Sequence, residues 1–185
     1  MSDGSNDEQN GPTVDETSGL SLDTRKEIFE YVRDNPGIHF SQLKRDLDME
    51  TGLLQYHLRE LERYDVLESE EYQGKRRVFV ARELNPEERR ILATLRYETT
   101  RRILLFLLEA GSARNSDIAE EIGVTPATVS WHLSNLVDND VVERRKEGRT
   151  TRYQVANEEL TVQLLVRYQE SFIDRAVDRI IDFWG

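Results

Sequence analysis

The chain has 185 residues, enough for one or two small domains, and its 36 acidic residues outnumber 25 basic ones for a net charge of −11. It has no Cys, which excludes disulfides, thiolate metal sites and cysteine nucleophiles. Neither a signal-peptide stretch nor an apolar run long enough to span a bilayer is present in the sequence, so no membrane partner and a cytoplasmic location are expected. Only four of the basic residues are Lys. That acidic, Lys-poor, Arg-retaining balance is expected of a salt-rich, halophilic cytoplasm; an acidic mesophilic protein is the alternative.

Residues 1–20 carry five acids and no base among Gly, Ser, Asp and Asn, and read as a disordered acidic tail. A first domain is expected over 21–84. Thr24–Asp34 sets Ile28, Phe29, Tyr31 and Val32 near helical spacing, and Asn35-Pro36-Gly37 stops the helix. Ser41 is the expected cap of a short helix, Gln42–Leu47. After a turn at Asp48-Met49, a third helix spans Thr51–Tyr64 with Leu54, Leu58 and Leu61 inward. Val66–Tyr72 and Arg76–Ala81 form a hairpin around Gln73-Gly74-Lys75. Residues 85–96 are a connector: Asn85-Pro86-Glu87-Glu88 supplies a cap, a proline and two dipole-favoured acids to a helix over Glu87–Leu95.

A second domain is expected over 97–156. Its first helix is Glu98–Ala110, ended by Gly111. Ser116 caps Asp117–Ile122, and Gly123 turns the chain. Thr125 then caps a helix with Pro126 first, and Val129, Leu133 and Leu136 face inward. Val141–Lys146 and Thr150–Val155 form a hairpin around Glu147-Gly148. Residues 157–185 read as one long helix, Glu158–Trp184, with an apolar stripe at three- and four-residue steps. At ~1.5 Å per residue it would run on the order of 40 Å, more than one small core needs. Leu165, Tyr168, Phe172, Ala176, Ile180 and Trp184 are therefore expected to form a homodimer seam; a helix folded back on the connector is the alternative.

The two halves repeat without a gap, 75 residues apart: Ile28 aligns with Ile103, Ser41 with Ser116, His57 with His132 and Leu61 with Leu136. Two copies of one unit imply two small domains of one fold. The expected fold class is mainly α with small β-hairpin wings (α+β): two winged helix-turn-helix domains and a long C-terminal helix. Thr125-Pro126-Ala127-Thr128-Val129-Ser130-Trp131-His132-Leu133 and Leu54-Gln55-Tyr56-His57-Leu58 resemble recognition-helix cores of the ArsR/MarR-like winged-helix superfamily. Residues 22–156 as a whole are similar to archaeal tandem winged helix-turn-helix transcriptional regulators. The resemblance implies double-stranded DNA as the partner, with the third helix of a copy entering the major groove. Without Cys, the thiolate metal site of many ArsR-type sensors does not carry over.

The second copy is the expected stronger DNA reader. Its third helix turns outward Thr125, Ala127, Thr128, Ser130, Trp131 and Ser134, with Thr125 chiefly a cap and Trp131 partly core. No acid lies between Thr125 and Val137. Arg144, Arg145, Lys146, Arg149 and Arg152 surround the Gly148 tip, although alternation puts Arg145 and Lys146 on opposite faces. In the first copy, Gln55 and Arg59 are candidates for base contact, and Lys75, Arg76 and Arg77 for phosphate contact. Glu50, Glu60 and Glu62 on its third helix weaken that reading and leave partner binding open.

His57 and His132 occupy one repeat position, which argues for a fold role. No metal site, cofactor, Gly-rich phosphate loop or nucleophile motif is expected, nor enzyme activity, and no pattern specifies a small-molecule effector. The expected function is a sequence-specific, homodimeric DNA-binding transcriptional regulator. The alternative is a winged-helix protein-interaction scaffold associated with transcription or chromosome machinery.

Overall fold

The computed structural model describes residues 14–172. Helix α1 runs Val14–Asp34, ten residues earlier than the apolar spacing requires, so the expected disordered tail to residue 20 is corrected at its last seven positions. Extending a formed helix costs far less than nucleating one. After Gly37, β1 (Ile38–His39) leads into α2 (Phe40–Asp46), α3 (Thr51–Arg63) and the hairpin β2 (Leu67–Tyr72) and β3 (Lys75–Val80). The cap of α2 is His39, not Ser41: the imidazole Nδ1 accepts the Ser41 amide at 3.1 Å.

The connector helix α4 spans Pro86–Leu95. Asn85 Oδ1 accepts the Glu87 and Glu88 amides, and the Glu88 carboxylate accepts the Asn85 amide at 2.7 Å. The second copy follows as α5 (Glu98–Ala110), α6 (Asn115–Ile122), α7 (Pro126–Asp138), β4 (Val142–Glu147) and β5 (Thr150–Val155). Here too the expected serine cap is displaced: α6 starts after Arg114, whose amide donates to Asp117 Oδ2. The Arg114 guanidinium, the same backbone amide and Ser116 hold the Asp117 carboxyl down to about 2. At α7 the expectation stands, with Thr125 Oγ1 accepting the Thr128 amide at 3.2 Å behind Pro126.

The repeat is visible in the backbone itself. Positive φ falls at the same three places in both copies: Asp48 and Gly123, Asp65 and Asp140, Gln73 and Gly148. Strand β1 pairs with β3 through Ile38 and Val78, and the second copy keeps that contact as a single bridge, Ala113 to Tyr153. Each copy thus carries helices packed beneath a small antiparallel wing, α+β as expected.

Among the described residues there are two cores. The first gathers Ile28 and Val32 of α1, Leu43 of α2, Leu54, Leu58 and Leu61 of α3, and Leu67 and Val78 of the wing. The second is larger, because α4 and α8 (Glu158–Arg167) join α5, α6, α7 and the second wing. Tyr72 and Phe79 of the first wing also enter it, so the first wing is buried on both faces. Gly37 makes room for this. It holds φ +74°, and a Cβ there would lie 3.2 Å from the Phe79 ring.

The C-terminal helix does not continue as one rod to Trp184. It ends at Arg167, and a 3-10 turn, Gln169–Ser171, bends the chain so that Phe172 turns inward. The cause is Arg96. Its guanidinium donates to Pro36 O at 2.9 and 3.1 Å and to Ser171 O and Oγ at 3.3 and 3.0 Å. It also lies 4.7 Å from the centre of the Phe172 ring. Burial, with the nearby Arg77 charge, lowers the Arg96 guanidinium to about 9, so it stays charged at neutral pH. One side chain therefore fastens the end of α1, the connector and the C-terminal turn together. Leu165, Tyr168 and Phe172 are consequently buried in their own chain and present no face to a partner, which corrects their expected place in a dimer seam. Ala176, Ile180 and Trp184 lie outside the described residues.

The two repeated histidines give the fold a pH dependence. Burial lowers the pKa of both His57 and His132, with the Arg25 charge adding to the effect at His57. A depressed imidazole means that the unfolded chain binds more protons, so stability is full above the ordinary His value of 6.5 and declines as pH falls below it. Denaturant midpoints measured from pH 7.5 to 5 are expected to fall through this window. His57→Gln should remove part of the decline, and an unchanged pH profile in that variant would defeat the assignment.

Candidate nucleic-acid interface

Helix α7 buries Val129, Leu133 and Leu136. At about 100° per residue, the opposite ridge carries Ala127, Trp131, Ser134 and Asp138. Thr125, Ala127, Thr128, Ser130 and Ser134 are exposed as expected. Trp131 is 60% exposed, so its expected partial core role is corrected. Its ring stands edge-on to His132, with centroids 4.8 Å apart. Sequence reasoning missed Asn115. From the start of α6 its Nδ2 donates to Ser130 Oγ at 2.8 Å and Pro126 O at 3.2 Å, pinning the first turn of α7.

Beside α7, a groove of about 230 Å³ is lined by Ser130, Ser134, Val137, Asp138, Arg144 and Tyr153. Strand pairing sets which bases face it: Arg144 opposes Tyr153 and Lys146 opposes Thr151, while Arg145 opposes Arg152 on the other face. Arg144, Lys146 and Arg149 are exposed. Arg145 is paired with Glu143 at 3.1 Å. Arg152 donates to Ser112 O at 2.7 Å and Ser112 Oγ at 3.0 Å, which commits it to the fold.

The first copy differs where it matters. Arg77, the repeat equivalent of Arg152, is 3% exposed, donates to Gly37 O at 2.9 Å and stacks over Tyr97 at 4.7 Å. Its expected phosphate role is corrected: it ties the wing to the loop after α1, as Arg152 does 75 residues on. The equivalence of the two arginines was a signal available in the repeat. Arg76 is bound to Glu62 at 2.6 Å and to Ser69 Oγ at 3.1 Å. These three residues fill the helix–wing groove that in the second copy stays open, where Val137, Arg144 and Thr151 replace them. Lys75, Gln55 and Arg59 remain exposed.

The second face of the first wing is also occupied. Glu68 and Glu70 meet Arg89 of α4 at 2.6 and 4.0 Å, and Tyr72 hydrogen-bonds Thr94. The uninterrupted run Val78-Phe79-Val80 was the sequence sign of a strand buried on both sides. In the second wing the matching positions, Glu143, Arg145, Glu147 and Gln154, are polar. Among the described residues no group of three or more His, Asp or Glu side chains is placed to hold a metal, and no helix is long and apolar enough to cross a membrane.

Comparison with known proteins agrees with this architecture. A family model described as an N-terminal HTH domain matches residues 22–92, and one described as winged helix-turn-helix DNA-binding matches 98–143. An uncharacterized HTH-type transcriptional regulator of Methanocaldococcus jannaschii is 31% identical over 142 residues, covering 77% of this chain and 36% of the relative. The chain thus spans about a third of that relative's length. Among solved structures, the antimony-specific repressor AntR is 24% identical over 41% of this chain and 68% of its own, with a TM-score of 0.38. HlyU of Vibrio cholerae is 20% identical over 45% of this chain and 87% of its own, with a TM-score of 0.40. Neither structural likeness, at those scores, bears on function. With a matching domain in each half, the chain belongs to the winged helix-turn-helix proteins and carries two such domains in tandem.

Proposed function

We propose that the chain is a sequence-specific DNA-binding transcriptional regulator, not an enzyme, that acts in the cytoplasm as a homodimer and reads double-stranded DNA chiefly through its second winged helix. One observation carries the ranking. The helix–wing groove of the second copy is open and bordered by Ser130, Ser134 and Arg144, whereas Glu62, Ser69 and Arg76 close the first. Hydroxyls and cations along such a groove suit phosphate oxygens and base edges. The net charge of −11 does not oppose this, because local potential at a wing decides contact more than the total.

The homodimer rests on the apolar spacing of Ala176, Ile180 and Trp184 in the sequence, since Leu165, Tyr168 and Phe172 are taken up by their own core. Adaptation to a salt-rich cytoplasm rests on four Lys among 25 bases. Selection of duplexes from random-sequence DNA by the full chain, at several salt concentrations, is the test. Enrichment of a shared sequence, bound by a species of twice the chain mass in light scattering, is the expected result. The protein-interaction alternative has the exposed Leu53 and Tyr64 on its side. It expects no enriched duplex, and that outcome would remove DNA reading altogether.

A further inference from the structure

We propose that Tyr56 and Trp131 are paired base-reading residues, each packing its ring against the 5-methyl group of a thymine in the major groove. The inference rests on the DNA-binding reading and extends it to the first copy. The two residues occupy one repeat position, 75 apart, and keep an aromatic ring there although their flanking outward residues differ: Gln55 against Ser130, Arg59 against Ser134. Both are exposed where their neighbours in the core are not, Tyr56 at 53% and Trp131 at 60%. A ring of that size left in water forgoes a large hydrophobic gain, and finding it twice at one position points to a shared use.

The position on the helix is the one that meets bases. Leu54, Leu58 and Leu61 anchor α3 as Val129, Leu133 and Leu136 anchor α7, which puts Tyr56 and Trp131 on the opposite ridge. Each ring is braced by the following histidine in an edge-on contact, at 5.2 Å and 65° in the first copy and 4.8 Å and 79° in the second. Those histidines turn into the fold: His57 is 3% exposed, and His132 Nδ1 lies 3.3 Å from Thr100 Oγ1. The aromatic face is therefore held outward on a fixed support. In the major groove the apolar feature of a base edge is the thymine methyl, and the same base offers O4 to the Trp N–H or Tyr O–H. Gly52, one turn before Tyr56, has open space where a Cβ would stand, which permits close backbone approach.

The test removes one methyl group at a time. The full chain would be titrated by fluorescence anisotropy against its selected duplex, made with thymine or with uracil, in parallel with Trp131→Ala, Tyr56→Ala and Trp131→Phe. One methyl contact contributes about fourfold in affinity, so two contacts in each of two protomers predict wild-type preference for the thymine duplex on the order of a hundredfold or more. Each alanine variant removes one contact per protomer and should shrink that ratio by roughly fifteenfold, and Trp131→Phe should keep most of it. A ratio unchanged in both alanine variants, or no thymine preference in the wild type, overturns the proposal while DNA binding stands. A loss confined to Trp131→Ala overturns it for the first copy. If no duplex binds at all, the DNA-binding reading itself falls.

Discussion

Replacing Arg144 and Arg149 with Glu is expected to weaken DNA binding by a hundredfold or more while leaving the fold intact. Both side chains are exposed on the second wing. Arg144 borders the groove with Ser130 and Ser134, and no ion pair within the described residues engages it or Arg149. A hydrogen bond to a charged group contributes about 1.5–3 kcal/mol, so losing two of them accounts for roughly two to four powers of ten before repulsion by the new carboxylates is added. The salt dependence should change as well. Each lost phosphate contact flattens the slope of log affinity against log salt by about 0.9. The matched control is Arg76→Glu with Arg77→Glu in the first wing, which should damage stability rather than affinity, because Arg77 is buried and Arg76 closes a groove with Glu62. Anisotropy titrations at four salt concentrations, with thermal melts of each variant, separate the two effects. Equal affinity in wild type and the Arg144, Arg149 variant would move phosphate contact off this wing.

That control shows where sequence reading reached and where it stopped. The helices, the two wings and the gapless repeat were legible because each rests on local periodicity and turn chemistry: Pro126 behind Thr125, Asn85 before Glu88, Gly148 at a hairpin tip. Basic residues were legible only as charges. Whether Arg76, Arg77 or Arg152 faces solvent depends on a partner far away in sequence, Glu62, Gly37 or Ser112. The cap of α2 was misplaced for a related reason. Ser41 is a common cap residue, but the chain enters through β1, and that direction brings His39 Nδ1 to the free amide. An aromatic usually belongs to a core, and only the packing of α7 reveals that Trp131 faces outward.

The same distinction governs the C-terminal segment, where Leu165, Tyr168 and Phe172 of the apolar stripe belong to the second core. Phe172→Ala is expected to destabilise the folded chain by about 3–5 kcal/mol, the usual cost of deleting a buried phenylalanine ring. Phe172 is 4% exposed, belongs to the second core and lies beneath Arg96, whose hydrogen bonds reach both Pro36 and Ser171. Removing the ring leaves a cavity and takes away the aromatic face that offsets the burial of a guanidinium. A lowered urea midpoint with an unchanged slope would mark lost stability in an otherwise intact two-state transition. A residue serving only a dimer seam behaves differently: its loss would halve the mass in light scattering and make the midpoint independent of protein concentration, while the monomer core stayed firm. Ile180→Ala, drawn from the stretch of sequence on which the dimer proposal rests, should show that second pattern. A Phe172→Ala chain that is monomeric yet as stable as a concentration-matched wild type would return Phe172 to the interface and undo the role assigned here to Arg96.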